Sequence, residues 1–167
     1  ASNTPTEITL YNSDGSRVLD IAVTDISQFE EYGFSKTEFI QIPTSDNGTL
    51  LNAMITLPRD FDPNKKYPVI VFGYSGPGSQ VVVNRQGRGL WNRYMNQEGY
   101  ITFSIDPRGT GGRGTEFKYL AYKDIGKWVA LDQVEGAKYL SSLPYVDGSR
   151  IGIWGWSGGG YMTALCM

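Results

Sequence analysis

The pattern of apolar positions along the chain changes character at Phe34. Beyond it, Glu38–Ile42 and Leu50–Leu57 are separated by Thr44-Ser45-Asp46-Asn47-Gly48, turn chemistry that predicts two antiparallel strands. Pro58 and Pro63 break the chain before Tyr67–Phe72, a continuous apolar run of the kind buried on both faces of a sheet. A second such run, Tyr100–Ile105, follows Gly99, and Leu90–Gln97 between the two predicts a helix. Asp124–Ser142 carries Ile125, Trp128, Leu131, Val134 and Ala137 at three-residue steps. That spacing predicts a helix with this row facing a core, Asp124 at its start and Pro144 beyond its end. Asp147-Gly148 then turns into Arg150–Trp154, expected as a third buried strand. Strands alternating with helices predict an α/β fold with a mostly parallel sheet. Before Phe34 the pattern is weak. Asn12-Ser13-Asp14-Gly15 reads as a turn with little apolar periodicity around it, so residues 1–33 are expected to be a linker or peripheral segment.

Composition narrows the chemistry. At 40% apolar and 19% charged, the 167 residues exclude a disordered chain, and no apolar run approaches the ~20 residues of a helical membrane span. The net charge of −2 gives no general case for nucleic acid or an anionic membrane as partner. The charge is unevenly spread, with 10 acidic and 5 basic residues up to Lys66 against 7 and 10 after it. The chain has no histidine, so it supplies neither a histidine general base nor a histidine metal ligand. The lone Cys166 excludes an internal disulfide framework and a cysteine-built zinc site, and no cofactor is expected. Ala1–Leu10 lacks the basic stretch and apolar core of a secretory signal, and the first residue is not Met, so an excerpt of a longer precursor is expected.

Gly155-Trp156-Ser157-Gly158-Gly159 fits G-x-S-x-G between a predicted strand and helix-compatible Tyr161–Met167. A serine on a strained strand-to-helix turn tolerates no side chain two residues to either side, and the turn lifts its hydroxyl above the sheet edge. An ordinary turn serine is the plainer alternative. Gly73-Tyr74-Ser75-Gly76-Pro77 is a near-miss, with Pro77 where the second glycine belongs, which makes Ser75 a loop serine. Its place after the earlier strand is where this fold class sets the other half of an oxyanion hole, and Tyr74 carries a phenol able to donate there. Packing under a loop is the competing role for Tyr74. Gly109-Thr110-Gly111-Gly112-Arg113-Gly114 satisfies G-x-G-x-x-G, but Asp106-Pro107-Arg108 separates it from the strand. No obvious helix opens after it, and Asp132 falls inside a predicted helix, so a flexible loop is expected rather than a nucleotide site. Arg85, Arg88 and Arg93 with Trp91 and Tyr94 read as a solvated helix face.

Together these residues carry a resemblance. Pro58-Arg59-Asp60-Phe61-Asp62 leads into Lys66-Tyr67-Pro68-Val69. Tyr74-Ser75-Gly76-Pro77-Gly78-Ser79-Gln80, Asp106-Pro107-Arg108-Gly109-Thr110-Gly111, Val146-Asp147 and Arg150-Ile151-Gly152-Ile153-Trp154-Gly155-Trp156-Ser157 follow. From Phe34 to Met167 the chain resembles the catalytic domain of the prolyl oligopeptidase family, in its dipeptidyl-peptidase-IV-like branch. The resemblance implies an α/β-hydrolase fold over residues 34–167, cut off after the nucleophile elbow, with 1–33 as the passage out of a preceding β-propeller. It implies Ser157 as nucleophile, with Tyr74 and the backbone N–H of Gly158 as oxyanion donors. Many relatives carry an aromatic directly after the serine, where this chain has Gly158; the backbone donor is untouched by that difference. The implied activity is release of Xaa-Pro or Xaa-Ala dipeptides from peptide N-termini through an acyl-enzyme. The alternatives are an acylaminoacyl peptidase, an esterase, or a relative that only binds peptide. A periplasmic or secreted location is implied as well. Only ten residues follow Ser157, so the Asp and His of a triad ordered Ser, Asp, His are expected beyond Met167. The chain alone is expected to be inactive, and to self-associate or depend on that C-terminal portion.

Overall fold

The computed structural model describes residues 2–25, 27, 32–46, 48–74, 76–85 and 89–167. Two sheets are present among them. Strands β1 (Glu7–Tyr11) and β2 (Arg17–Val23) form an antiparallel hairpin of their own. Its turn closes through Asn12 N–H to Ser16 O at 2.9 Å and Gly15 N–H to Asn12 O at 3.0 Å, with Gly15 at φ 84°. The Asp14 carboxylate accepts from the Ser16 amide and hydroxyl. The turn was legible, whereas the strands beside it were not: Val18, Leu19, Ile21 and Val23 are all exposed, so no buried face imprints a period on them.

The main sheet has five strands in the order β3-β4-β6-β5-β7, where β3 is Thr37–Pro43, β4 Leu50–Thr56, β5 Tyr67–Phe72, β6 Ile101–Ile105 and β7 Val146–Trp154. β3, β4 and β6 pair antiparallel, and β6, β5 and β7 pair parallel. The parallel part is the helix-connected half. Helix α1 (Leu90–Gln97) joins β5 to β6. Helices α2 (Thr115–Tyr119) and α3 (Ile125–Ser142) join β6 to β7, and α4 (Gly158–Cys166) follows β7. Alternation along β6 assigns the two faces. Phe103 and Ile105 point toward α3, where a Cβ on Gly136 would lie 3.2 Å from the Phe103 ring. Thr102 points toward α1 and bonds Asn96, whose amide also donates to Thr56 O and Tyr100 O. The register with β4 and β5 puts Leu51, Ile55, Val69, Val71 and Ile101 on the same face as Phe103 and Ile105, so this core lies on the α3 side, while α1 covers the other face. Each fully buried side chain of this kind contributes about 1.5–3 kcal/mol.

Two expectations are corrected. Helix α3 starts where predicted, with Asp124 capping Lys127 N–H, but the buried residues are Val129, Asp132, Gln133, Gly136 and Leu140. Ile125, Leu131 and Val134 are exposed. A three-residue step turns about 300° on a helix, so such a row slides around the surface, whereas steps of three and four keep to one side. Strand β7 is the second correction. It pairs with β5 alone among the described strands, and Ile151 and Ile153 are half-buried while Trp154 is exposed on the other face. The face carrying Arg150, Gly152 and Trp154 is exposed, so the strand is not buried on both faces.

Candidate active site

The end of β7 and the start of α4 meet in a tight turn with glycine two residues to either side of Ser157. Ser157 sits there at φ 54°, ψ −118°, in the positive-φ region that costs a non-glycine residue about 1–3 kcal/mol. A Cβ on Gly155 would lie 2.5 Å from Gly73 O, and one on Gly159 would lie 2.1 Å from the same oxygen. Both glycines of the motif are therefore required by the close approach of one carbonyl. Gly73 N–H in turn donates to Trp154 O at 3.2 Å, which joins the ends of β5 and β7. Underneath lies Met162, fully buried in the first turns of α4.

This junction brings Tyr74 to the elbow. The Tyr74 Cα lies 3.4 Å from the Cβ position of Gly159, and its side chain is partly exposed. The Ser157 side chain is exposed and does not cap α4, so its hydroxyl is not spent on the helix. Gly158 carries the first amide of α4, which by position has no acceptor within the helix. An oxygen bearing negative charge at this helix start is favoured by both the open amide and the helix dipole. Ser75 lies outside the described residues.

The glycine-rich segment after β6 is not a flexible loop. Residues 101–110 are buried throughout. A Cβ on Gly109 would meet the Ala121 Cβ at 2.4 Å, and one on Gly111 would meet the Gly78 backbone at 2.9 Å. Gly111 N–H also donates to Ser79 O at 3.0 Å, and a five-residue helix does open directly after Gly114. The segment supports the loop that follows Tyr74, because the Asp106 carboxylate accepts from Val81 N–H at 2.7 Å and from Val82 N–H. Arg108 bonds Asp132 through its own amide at 2.6 Å and through Nη2 at 2.6 Å, and reaches Asp46 through Nη1 at 2.7 Å. Its guanidinium also lies 4.1 Å over the Trp128 ring. Burial pushes the Asp132 carboxyl above its ordinary range, against the lowering pull of Arg108. Nothing in the spacing of Arg108 and Asp132 announces this pair, although Asp106-Pro107-Arg108 was legible as part of the resemblance.

The arginine–aromatic face predicted around α1 is only partly solvated. Trp91 and Tyr94 are exposed, but Arg93 packs 4.0 Å over the Phe34 ring; Arg88 lies outside the described residues. Among the described residues no cluster of His, Cys, Asp and Glu could hold a metal ion, and no helix is long and apolar enough to cross a membrane.

Residues 89–167, which include the elbow, match the family model described as prolyl oligopeptidase family. The chain belongs to the prolyl oligopeptidase family. Among curated relatives of the family, the Emericella nidulans protein named "Probable dipeptidyl peptidase 4" is 43% identical over 141 residues, 83% of this chain and 18% of that protein. The crystal structure of Porphyromonas gingivalis dipeptidyl peptidase 4 superposes with a TM-score of 0.87 at 39% identity, covering 98% of this chain and 23% of that one. The Pyrococcus horikoshii acylaminoacyl peptidase superposes at 0.79 and 25% identity, covering 98% and 26%. The fold is that of the α/β-hydrolases shared by these family members. The chain spans about a fifth of the length of the relatives it matches.

Proposed function

We propose that this chain is the nucleophile-bearing part of a serine peptidase that releases dipeptides from peptide N-termini. Ser157 Oγ attacks the carbonyl carbon of the scissile peptide bond. Its proton passes to a histidine supplied outside this chain, and the carbonyl oxygen becomes an oxyanion. The Tyr74 hydroxyl and the Gly158 amide donate to that oxygen. Collapse breaks the C–N bond, the histidine returns its proton to the leaving amine, and water then hydrolyses the acyl-enzyme. The observation that carries this reading is the strained φ of Ser157 between two glycines pressed against Gly73 O. Similarity to proteins named dipeptidyl peptidase 4 supports the substrate class.

Similarity to an acylaminoacyl peptidase supports a second reading, in which the same elbow removes acylated residues. Hydrolysis of Xaa-Pro-p-nitroanilide and Xaa-Ala-p-nitroanilide by the full-length protein, compared with acetyl-amino-acid and simple ester substrates, separates the two. Faster turnover of the dipeptide substrates is expected, and turnover of only the acetylated ones would transfer the assignment.

The proposal includes the domain assignment. Residues 34–167 form part of the catalytic domain, and 1–33 form the exit from a β-propeller; that hairpin β1–β2 pairs with no strand of the main sheet supports the division. It also has the outer edge of β7 covered by more chain or by a second copy, since an open edge is a template for pairing. Sedimentation of the isolated chain as a monodisperse, cooperatively melting monomer would contradict that part.

A further inference from the structure

On the α1 side of the sheet a cavity of about 70 Å³ is bounded by Phe34, β4, β6 and α1. A buried water needs roughly 10–15 Å³ on this measure, so the space suits several waters or one small ion. None of the elbow residues 155–159 lines it. Arg59, Arg85 and Arg93 do, and among the described residues none of the three is in an ion pair. Burial lowers the Arg93 pKa with no carboxylate acting against it. Its guanidinium face is spent on the Phe34 ring at 4.0 Å, which leaves its edge donors for another group.

A second, independent observation points into the same space. Ser104 is 1% exposed, lines the cavity, and its hydroxyl has no hydrogen-bond partner. A buried hydroxyl left without a partner is costly, so native folds rarely keep one without a use. Several of the other polar walls are already engaged. The Asn96 amide donates to Thr56 O and Tyr100 O, and the Thr37 and Thr56 hydroxyls bond each other at 2.9 Å. Among the donors the cavity still offers are the Arg59, Arg85 and Arg93 side chains and the Ser104 hydroxyl. Guanidinium forks match the spacing of oxygens on a tetrahedral or planar oxyanion, and a partly desolvated cation needs a counter-charge.

We propose that this cavity binds a small inorganic oxyanion, phosphate or sulfate, between Arg59, Arg85 and Arg93, with Ser104 as the buried fourth donor. The test is calorimetric titration of the full-length protein with sodium phosphate, then with sodium sulfate, at constant ionic strength set with sodium chloride. One saturable site is expected. Arg93→Met should weaken it at least tenfold, Arg93→Lys less, because the charge is kept and the fork lost, and Ser104→Ala several-fold. Circular dichroism checks folding of each variant, and the small Ser104→Ala change decides if Arg93→Met does not fold. Absence of saturable heat overturns the proposal, including the case in which a carboxylate from elsewhere in the whole protein already fills the cavity. Binding of unchanged affinity in both Arg93→Met and Ser104→Ala overturns it too, by placing the ion elsewhere.

Discussion

Arg108 and Asp132 form an ion pair closed off from solvent, with Nη2 to Oδ1 at 2.6 Å and side-chain exposures of 3% and 0%. The pair locks the end of β6 to α3. Through Asp106, two residues earlier, the same segment holds the amides of Val81 and Val82 in the loop that leaves Tyr74. An uncompensated buried charge typically costs about 3–5 kcal/mol, and removing Asp132 leaves the buried Arg108 with only the half-exposed Asp46 as partner. Asp132→Ala in the full-length protein is therefore expected to lower stability in denaturant unfolding by up to about that amount. Pairing Arg108→Met with Asp132→Leu should recover much of the loss, since apolar replacement of both partners is often close to neutral. An Asp132→Ala midpoint equal to wild type would remove the pair from the account of stability.

Gly159 and Gly160 are neighbours with opposite tolerances. A Cβ on Gly159 would stand 2.1 Å from Gly73 O, a backbone atom that cannot move without displacing β5 and Tyr74; a Cβ on Gly160 would stand 3.4 Å from Gly155 O. Gly159→Ala is expected to lower kcat/KM about 10²-fold, the scale of an ångström-sized misplacement in an active site. Gly160→Ala should be mild. Equal effects from the two substitutions would contradict the packing described for the elbow.

Why the elbow was legible while Arg108–Asp132 was not follows from range. The glycine requirement at positions 155 and 159 is set by the turn itself, so residue type and spacing reveal it. The same locality explains why β5, β6 and α1 lie close to their predicted bounds. Arg108 and Asp132 are 24 residues apart, and their pairing exists only once α3 is laid on the sheet. The buried side of α3 depends likewise on what packs against it: Gly136 is buried because Phe103 is beside it, a fact absent from the helix's own pattern. Hairpin β1–β2 is the reverse case, strands without a core, held by backbone pairing and one turn.

Tyr74→Phe keeps the ring and deletes the hydroxyl. If that hydroxyl donates to charge that develops only in the transition state, kcat should fall by ~10²–10³ with little change in KM. Steady-state kinetics on the full-length enzyme separates this from a packing role, for which kcat would be nearly unchanged.

The most direct test of the central claim is fluorophosphonate labelling of the full-length protein, followed by peptide mapping. Ser157 in its strained turn is expected to form a stoichiometric phosphonyl adduct, with its serine Oγ displacing fluoride. The adduct should be absent in Ser157→Ala and absent or slow in the isolated chain, which has no histidine to take the proton. Full activity in Ser157→Ala, or an adduct on a different serine that abolishes activity, would contradict the assignment.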